Sequence, residues 1–410
     1  MSRKSWLIGG QSVLAASQGL TLVIIARFDG AHSVGLYSLA LALVSPVFLL
    51  GQLRLQDVLA TDHRADDHLV QYLRLTIVGA FGALIVSTLL SAIWSSHQLV
   101  YVALAMAVGK MAESFSFLTY GYLQGQGRFR RLAISMGIRG TLGCGALALS
   151  YVSGGSLAEG VLAMTLVWGL VAILVDTPTV LAIALGRPLW SRHKVSWPIA
   201  SDLVLARRLL PLGVATFLIA LNQTLVRLVV EVRIGLSALG VFAAVAYTVR
   251  VGVIAVRSIA QSLSPELRQA ASDGDRVETW HLCAHAASRS ALFSVALSAL
   301  ILIAGPFIYP ALLGEDFAPS RTLLAAVMLA ASALFVSMPF SMGLVSLGLH
   351  KEQMFLLVAT LALSSSAAFV LSGSLGTTGA ALGWATGEAC RAVGLTHIMR
   401  RHASPVKKVA

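Results

Sequence analysis

Charge is scarce in this chain. Asp, Glu, Lys and Arg make up 12% of its 410 residues, and hydrophobic residues make up 57%. A soluble domain carries about 25% charged and roughly 45–50% apolar residues. Too few polar side chains remain to cover a water-facing surface around so much apolar sequence, which excludes an ordinary soluble domain. Cysteine is scarcer still, with three residues: Cys144 and Cys390 in apolar runs and Cys283 in a loop. They lie too far apart for a disulfide framework or a metal knuckle. The sequence has no His/Asp/Glu cluster with metal-ligand spacing, no Walker loop and no GxSxG stretch. Residues 121–129, "GYLQGQGRF", look like a glycine-rich loop, but they leave an apolar run and not a strand, so they read as a turn. These absences point away from an enzyme or an ATPase, and no cofactor or metal is implied.

What the chain has is apolar length. Runs of about 20 residues, each long enough to cross a bilayer, recur from end to end. They give about twelve spans: 6–26, 34–53, 75–95, 99–123, 133–152 and 160–183, then 209–230, 239–258, 290–310, 323–345, 354–372 and 379–398. The opening "MSRKSWLIGG" puts two basic residues before an apolar run, as a signal peptide would. That run continues to Ile25 without a small-residue cleavage site, so it reads as a retained first helix. The longest polar connection, "GRPLWSRHKVSWPIASDLVLARR", separates spans six and seven. Its Pro188, Trp190, Trp197 and Pro198 beside Arg192 and Lys194 suit the headgroup layer. The expected organisation is a six-helix lobe at 1–186, an interfacial linker at 187–208, a second lobe at 209–398 and a basic tail at 399–410.

The net charge of +12 raises the question of nucleic acid, which the positions answer. Of the 30 Lys and Arg residues, 21 fall in alternate connections together with the two ends, six inside spans, and three (Arg27, Arg233, Arg321) in the remaining connections. That is an orientation signal and not a DNA-binding stripe. It assigns both termini and the linker to the cytoplasm, in a multi-pass membrane protein. The outer connections are then short, with no room for a catalytic constellation.

The two halves repeat each other. At an offset of 205, Ser17 matches Asn222, Gln18 matches Gln223, and Leu20 matches Leu225. Gly30 matches Gly235, Gly35 matches Gly240, Tyr37 matches Phe242, and Gln56 matches Gln261. Both copies start on the outer side and descend inward, so the lobes are parallel repeats. The expected fold is an all-α polytopic membrane protein of about 12 transmembrane helices, in two six-helix lobes around a central cavity.

Six cations fall inside the spans, Lys110, Arg139, Arg227, Arg250, Arg257 and Arg391, against three anions, Glu113, Asp176 and Glu388. A mid-membrane charge costs at least ~2.5–3.5 kcal/mol, so it usually meets a cavity, a partner or the interface. Lys110 and Glu113, like Glu388 and Arg391, are three residues apart and suited to pairing on one helix face. Arg257 and Asp176, near inner ends, suit snorkelling, and Arg139 is compatible with a structural or a cavity role. Arg250 has no acid three or four residues away and lies near mid-membrane with Lys110; Arg227 has only Glu231, at the outer edge. A cationic surplus favours an anionic or phosphate-bearing guest that Arg grips through paired hydrogen bonds. Gln18, Asn222 and Gln223 suit sugar hydroxyls or serve equally as interhelical ties. The candidate substrate-binding residues are therefore Arg250, Arg227, Lys110, Arg139, Gln18, Asn222 and Gln223.

These stretches resemble polysaccharide-repeat (O-antigen or exopolysaccharide) flippases of the multidrug/oligosaccharidyl-lipid/polysaccharide (MOP) exporter superfamily, nearly end to end. "IIARFDGAHSVGLYSLALAL" is similar to that family's first two helices and the loop between them. "GYLQGQGRFRRLA" is similar to its turn after helix four, and "LNQTLVRLVVEVRIGLSALGVFAAVAY" to the start of its second lobe. "QSLSPELRQAASDGD", "LLGEDFAPSRTLL" and "GTTGAALGWATGE" are similar to later loops and the start of helix twelve. The family often carries an Asp before the arginine of helix seven. Val226 stands there, so an ion-coupling role at that position is not carried over. The resemblance implies alternating access, with undecaprenyl-diphosphate-linked oligosaccharide moved from the inner to the outer leaflet for polysaccharide assembly. It implies membrane lipids and polysaccharide-polymerase machinery as partners and leaves the coupling ion, H+ or Na+, open. A multidrug or organic-cation exporter of the same superfamily is the alternative, and a membrane polysaccharide polymerase is a third.

Overall fold

The computed structural model describes residues 3–62, 65–94, 96–180, 199–263, 266–267, 269–270 and 273–403. Positions 187–198 of the expected linker and the tail beyond residue 403 lie outside the described residues. In chain order the helices are α1 (Arg3–Gly51), α2 (Leu55–Thr61), α3 (Ala65–Ala92), α4 (His97–Gly125), α5 (Phe129–Val152) and α6 (Leu157–Val171). There follow α7 (Ile199–Ile234), α8 (Leu236–Ser262), α9 (Arg276–Leu313), α10 (Arg321–Ser346) and α11 (His350–Ala403). A π-helical turn at Ala172–Asp176 continues α6.

Among the described residues, ten helices are long and apolar enough to cross a membrane. Two of them are double. α1 breaks at Gly30 (φ 76°, ψ −172°) and α11 at Gly376 (φ 59°, ψ −137°), conformations that glycine adopts without the Cβ penalty. Counted as halves, these two bring the spans to the expected twelve. Leu292, Ile303, Phe307 and Phe355 are each 73% exposed, an outward apolar surface that water would not tolerate and lipid requires. The chain is a multi-pass membrane protein. Several hydroxyls inside the spans close on their own helices: Thr21 donates to Ser17 O, Ser87 to Ala83 O and Thr360 to Leu356 O. Each therefore adds polarity without leaving an unmet donor in the membrane.

The repeat reappears in the backbone. The aligned Gly30 and Gly235 both take positive φ, 76° and 113°. Gly127 after α4 and Gly348 after α10 do the same, at 70° and 73°. Ser96 caps α4 by accepting from Leu99 N, as Ser320 caps α10 by accepting from Leu323 N. Serine is among the preferred residues at an N-cap.

Contacts divide the chain into two compact units, Met1–Ala220 and Leu221–Ala410, and the division falls inside α7. That helix begins at Ile199, ten residues before the apolar run that marks span seven, so the second part of the expected linker is helical. The cause is a clamp to α3. Arg74 Nε and Nη2 donate to Asp202 Oδ2 and Oδ1 at 2.7 and 2.9 Å, the bidentate fork that arginine makes with a carboxylate. Gln71 Nε2 also donates to Ser201 O at 3.0 Å. Below the clamp, Leu209 joins a buried cluster with Leu55, Leu59, Tyr72, Leu75, Leu118 and Tyr122. In the second unit the two halves of α11 pack back to back along Gly379, Gly383 and Gly387. A Cβ at these positions would run into the Leu371 carbonyl, the Ala368 backbone and the Ser364 hydroxyl. Small residues let helices approach closely where lipid supplies no hydrophobic drive.

Candidate functional site

In the first unit the intramembrane charges gather where α4, α5 and the π-turn meet. Lys110 Nζ lies 2.5 Å from Glu113 Oε2, and Arg139 Nη2 lies 2.8 Å from Glu113 Oε1. One carboxylate thus serves two cations. Arg139 is fully buried, its guanidinium 5.3 Å from the Trp168 ring centre and 5.6 Å from that of Phe117. Two of its nitrogens, Nε and Nη1, have no hydrogen-bond partner, and the aromatic faces supply part of the missing counter-charge. Beside it Ser135 Oγ donates to Asp176 Oδ1 at 2.5 Å, and the Tyr120 hydroxyl lies 3.0 Å from that same Oγ. Ser135 has one proton and gives it to Asp176, so Tyr120 is the donor to Ser135. Asp176 ends the π-turn and is buried among protein groups, so it does not snorkel. Gln18 is half-buried on α1.

The second unit is arranged differently. Asn222 Nδ2 donates to Glu388 Oε1 at 3.0 Å, and Arg391 Nη1 lies 3.4 Å from Glu388 Oε2. All three side chains are buried, which ties α7 to the second half of α11. Gln223, next in sequence, is exposed. Arg227 is half-buried and Arg250 exposed. Among the described residues neither arginine has an acid within ion-pair distance. From the turn at Gly235, Arg250 lies about 22 Å along α8 at 1.5 Å per residue, still deep in the span.

The structure therefore groups Lys110 with Arg139 through Glu113, and it puts Arg227 and Arg250 on the consecutive helices α7 and α8. Asn222 goes to Glu388. Three links escape the sequence: Arg139–Glu113, Asn222–Glu388 and Asp176–Ser135. Each joins different helices, so no local spacing announces it. For Arg139–Glu113 and Asp176–Ser135 the signal in the sequence is the intramembrane charge of Arg139, Glu113 and Asp176 itself.

No protein-family model matches the sequence. A capsular polysaccharide biosynthesis protein, CapF of Staphylococcus aureus, is 24% identical over 319 residues, which cover 77% of this chain and 78% of that one. An inward-facing multidrug-resistance transporter of the MATE family, in the MOP superfamily, superposes with a TM-score of 0.72. It is 16% identical and is matched over 100% of this chain and 96% of its own. This chain has the MOP transporter fold. The lipid II flippase MurJ, in an inward closed conformation, also gives a TM-score of 0.72, at 12% identity over 95% of this chain and 86% of that one. The MOP fold is the one that the sequence resemblance implied.

Proposed function

We propose that this MOP-fold chain is a flippase. It carries a polyprenyl-diphosphate-linked oligosaccharide from the inner to the outer leaflet of the bacterial cytoplasmic membrane by alternating access, and it feeds polysaccharide-polymerase machinery. The observation that carries this reading is that Arg227 and Arg250, on the consecutive helices α7 and α8, have no acid within ion-pair distance among the described residues. Such a pair is stabilised by a guest that brings two or more negative charges, and a diphosphate is that guest. The likeness to CapF, a polysaccharide biosynthesis protein, supports the same cargo. In cells lacking the protein, lipid-linked oligosaccharide should collect on the cytoplasmic leaflet. Wild type should clear it, and Arg250→Ala should not, although the variant accumulates normally. Arg250→Lys should clear it in part, because charge returns without the planar fork. Full clearance by Arg250→Ala would remove the basis of the proposal.

Export of organic cations is the second reading. Asp176 favours it: the carboxylate is buried, one oxygen lacks a partner, and no cation lies within ion-pair distance among the described residues. On that reading, loss of the protein raises accumulation of ethidium in cells, and Asp176→Asn does the same. Unchanged dye accumulation in both strains leaves the flippase.

A further inference from the structure

The six intramembrane cations divide evenly. Lys110, Arg139 and Arg391 each have a carboxylate oxygen within 3.4 Å. Arg227, Arg250 and Arg257 have none among the described residues, and all three lie on the consecutive helices α7 and α8. Their heights are regular. Measured from Gly235, the turn where α7 ends and α8 begins, Arg227, Arg250 and Arg257 are 8, 15 and 22 residues away. At 1.5 Å per residue these are about 12, 22 and 33 Å, two steps of roughly 10 Å that cross the bilayer.

The local sequence explains why two of them share a side. Val245, Val249, Gly252 and Val256 form the buried face of α8, and Gly252 sits so close to Phe335 of α10 that a Cβ would collide with the ring. Arg250 and Arg257, seven residues apart and so nearly two full turns, project together from another side, and both are exposed.

The geometry points to Arg257 as a third anion site, a loading station at the inner end of α8. There a lipid-linked diphosphate is captured and passed to Arg250 and then to Arg227. This rests on the cargo and orientation proposed above. Two arginines suffice to hold a diphosphate; the third acts on arrival. At the membrane edge its charge is reached from the headgroup layer and is screened by salt, so it governs the association rate. A charge deeper in the span governs escape. Regular steps also keep any one site from binding too tightly, the condition for a guest that must leave as well as enter.

The test uses the full chain in lipid nanodiscs. Association and dissociation rates are measured with a fluorescent polyprenyl diphosphate and with the matching polyprenol. Arg257→Ala should slow diphosphate association roughly tenfold at low salt and change dissociation less than about twofold, with the defect shrinking as salt rises. Arg257→Lys should associate at close to the wild-type rate, and Arg250→Ala should speed dissociation. Arg257→Gln repeats the measurement should the alanine protein melt early. Wild-type association by both Arg257→Ala and Arg257→Gln overturns the loading station and leaves the cargo standing. Equal slowing for diphosphate and polyprenol also overturns it. If the wild-type protein itself does not prefer the diphosphate, the cargo reading fails and the station fails with it.

Discussion

At the scale of single residues, the two units handle intramembrane charge in opposite ways. Around Glu113 each cation has a counter-charge, because Lys110 and Arg139 share one carboxylate and Arg139 is roofed by aromatic rings. Such a group is strongly destabilised when one member is lost, since the survivors remain buried. Glu113→Gln should therefore lower the melting temperature of the purified protein by an amount equivalent to about 3–5 kcal/mol. Arg250→Ala should leave it close to wild type. A Glu113→Gln protein as stable as wild type would mean that Lys110 and Arg139 have other counter-charges. Two of the ion pairs were legible in the sequence, Lys110–Glu113 and Glu388–Arg391, because both partners sit three residues apart on one helix. Arg139–Glu113 and Asn222–Glu388 were not, because their partners lie 26 and 166 residues apart and meet only after helices pack.

At the scale of elements, the bilayer itself makes most of the fold legible. It demands about 20 apolar residues per crossing and leaves little freedom in where a span begins. The exceptions are places where a helix outruns its apolar stretch. α7 starts ten residues early because Leu205, Ala206 and Leu209 meet the cluster around Leu59 and Tyr72 while Asp202 engages Arg74. The π-turn after α6, which aims Asp176, follows from no pattern in the sequence. α7 is also thinly packed beyond its start, with 11% of its apolar window buried, so the Arg74–Asp202 fork carries much of its anchorage in the first unit. Asp202→Ala should speed hydrogen exchange across residues 199–210 by roughly tenfold, the equivalent of about 1.4 kcal/mol of local opening. The α4 core should exchange as before. Unaltered exchange at 199–210 would assign the anchorage to the apolar cluster alone.

At the scale of the whole molecule, duplication was legible because glycine and glutamine stand out against apolar sequence. The matched φ values of Gly30 and Gly235 show why the aligned glycines are there. Sidedness follows from alternation. Gly30, Gly154, Gly235, Gly314 and Gly376 turn the chain on one side of the successive spans, and Gly127, Gly274 and Gly348 on the other. The first side has the tight turns, including a single residue between α7 and α8, and few basic residues. The second side holds Arg128, Arg130, Arg131, Arg276, Lys351, Arg400 and Arg401. From that charge bias we propose that the second side is the cytoplasmic one. Labelling in intact cells tests the assignment. In a background with Cys390→Ser, which removes the exposed thiol and leaves Cys144 and Cys283 buried, single cysteines at Ser153 and Glu315 should react with a membrane-impermeant maleimide. Cysteines at Gln126 and Asp273 should react only after the membrane is opened. The reverse pattern would turn the protein over. Arg257 would then face the outer leaflet, and the three unpaired arginines would have to load their guest from outside.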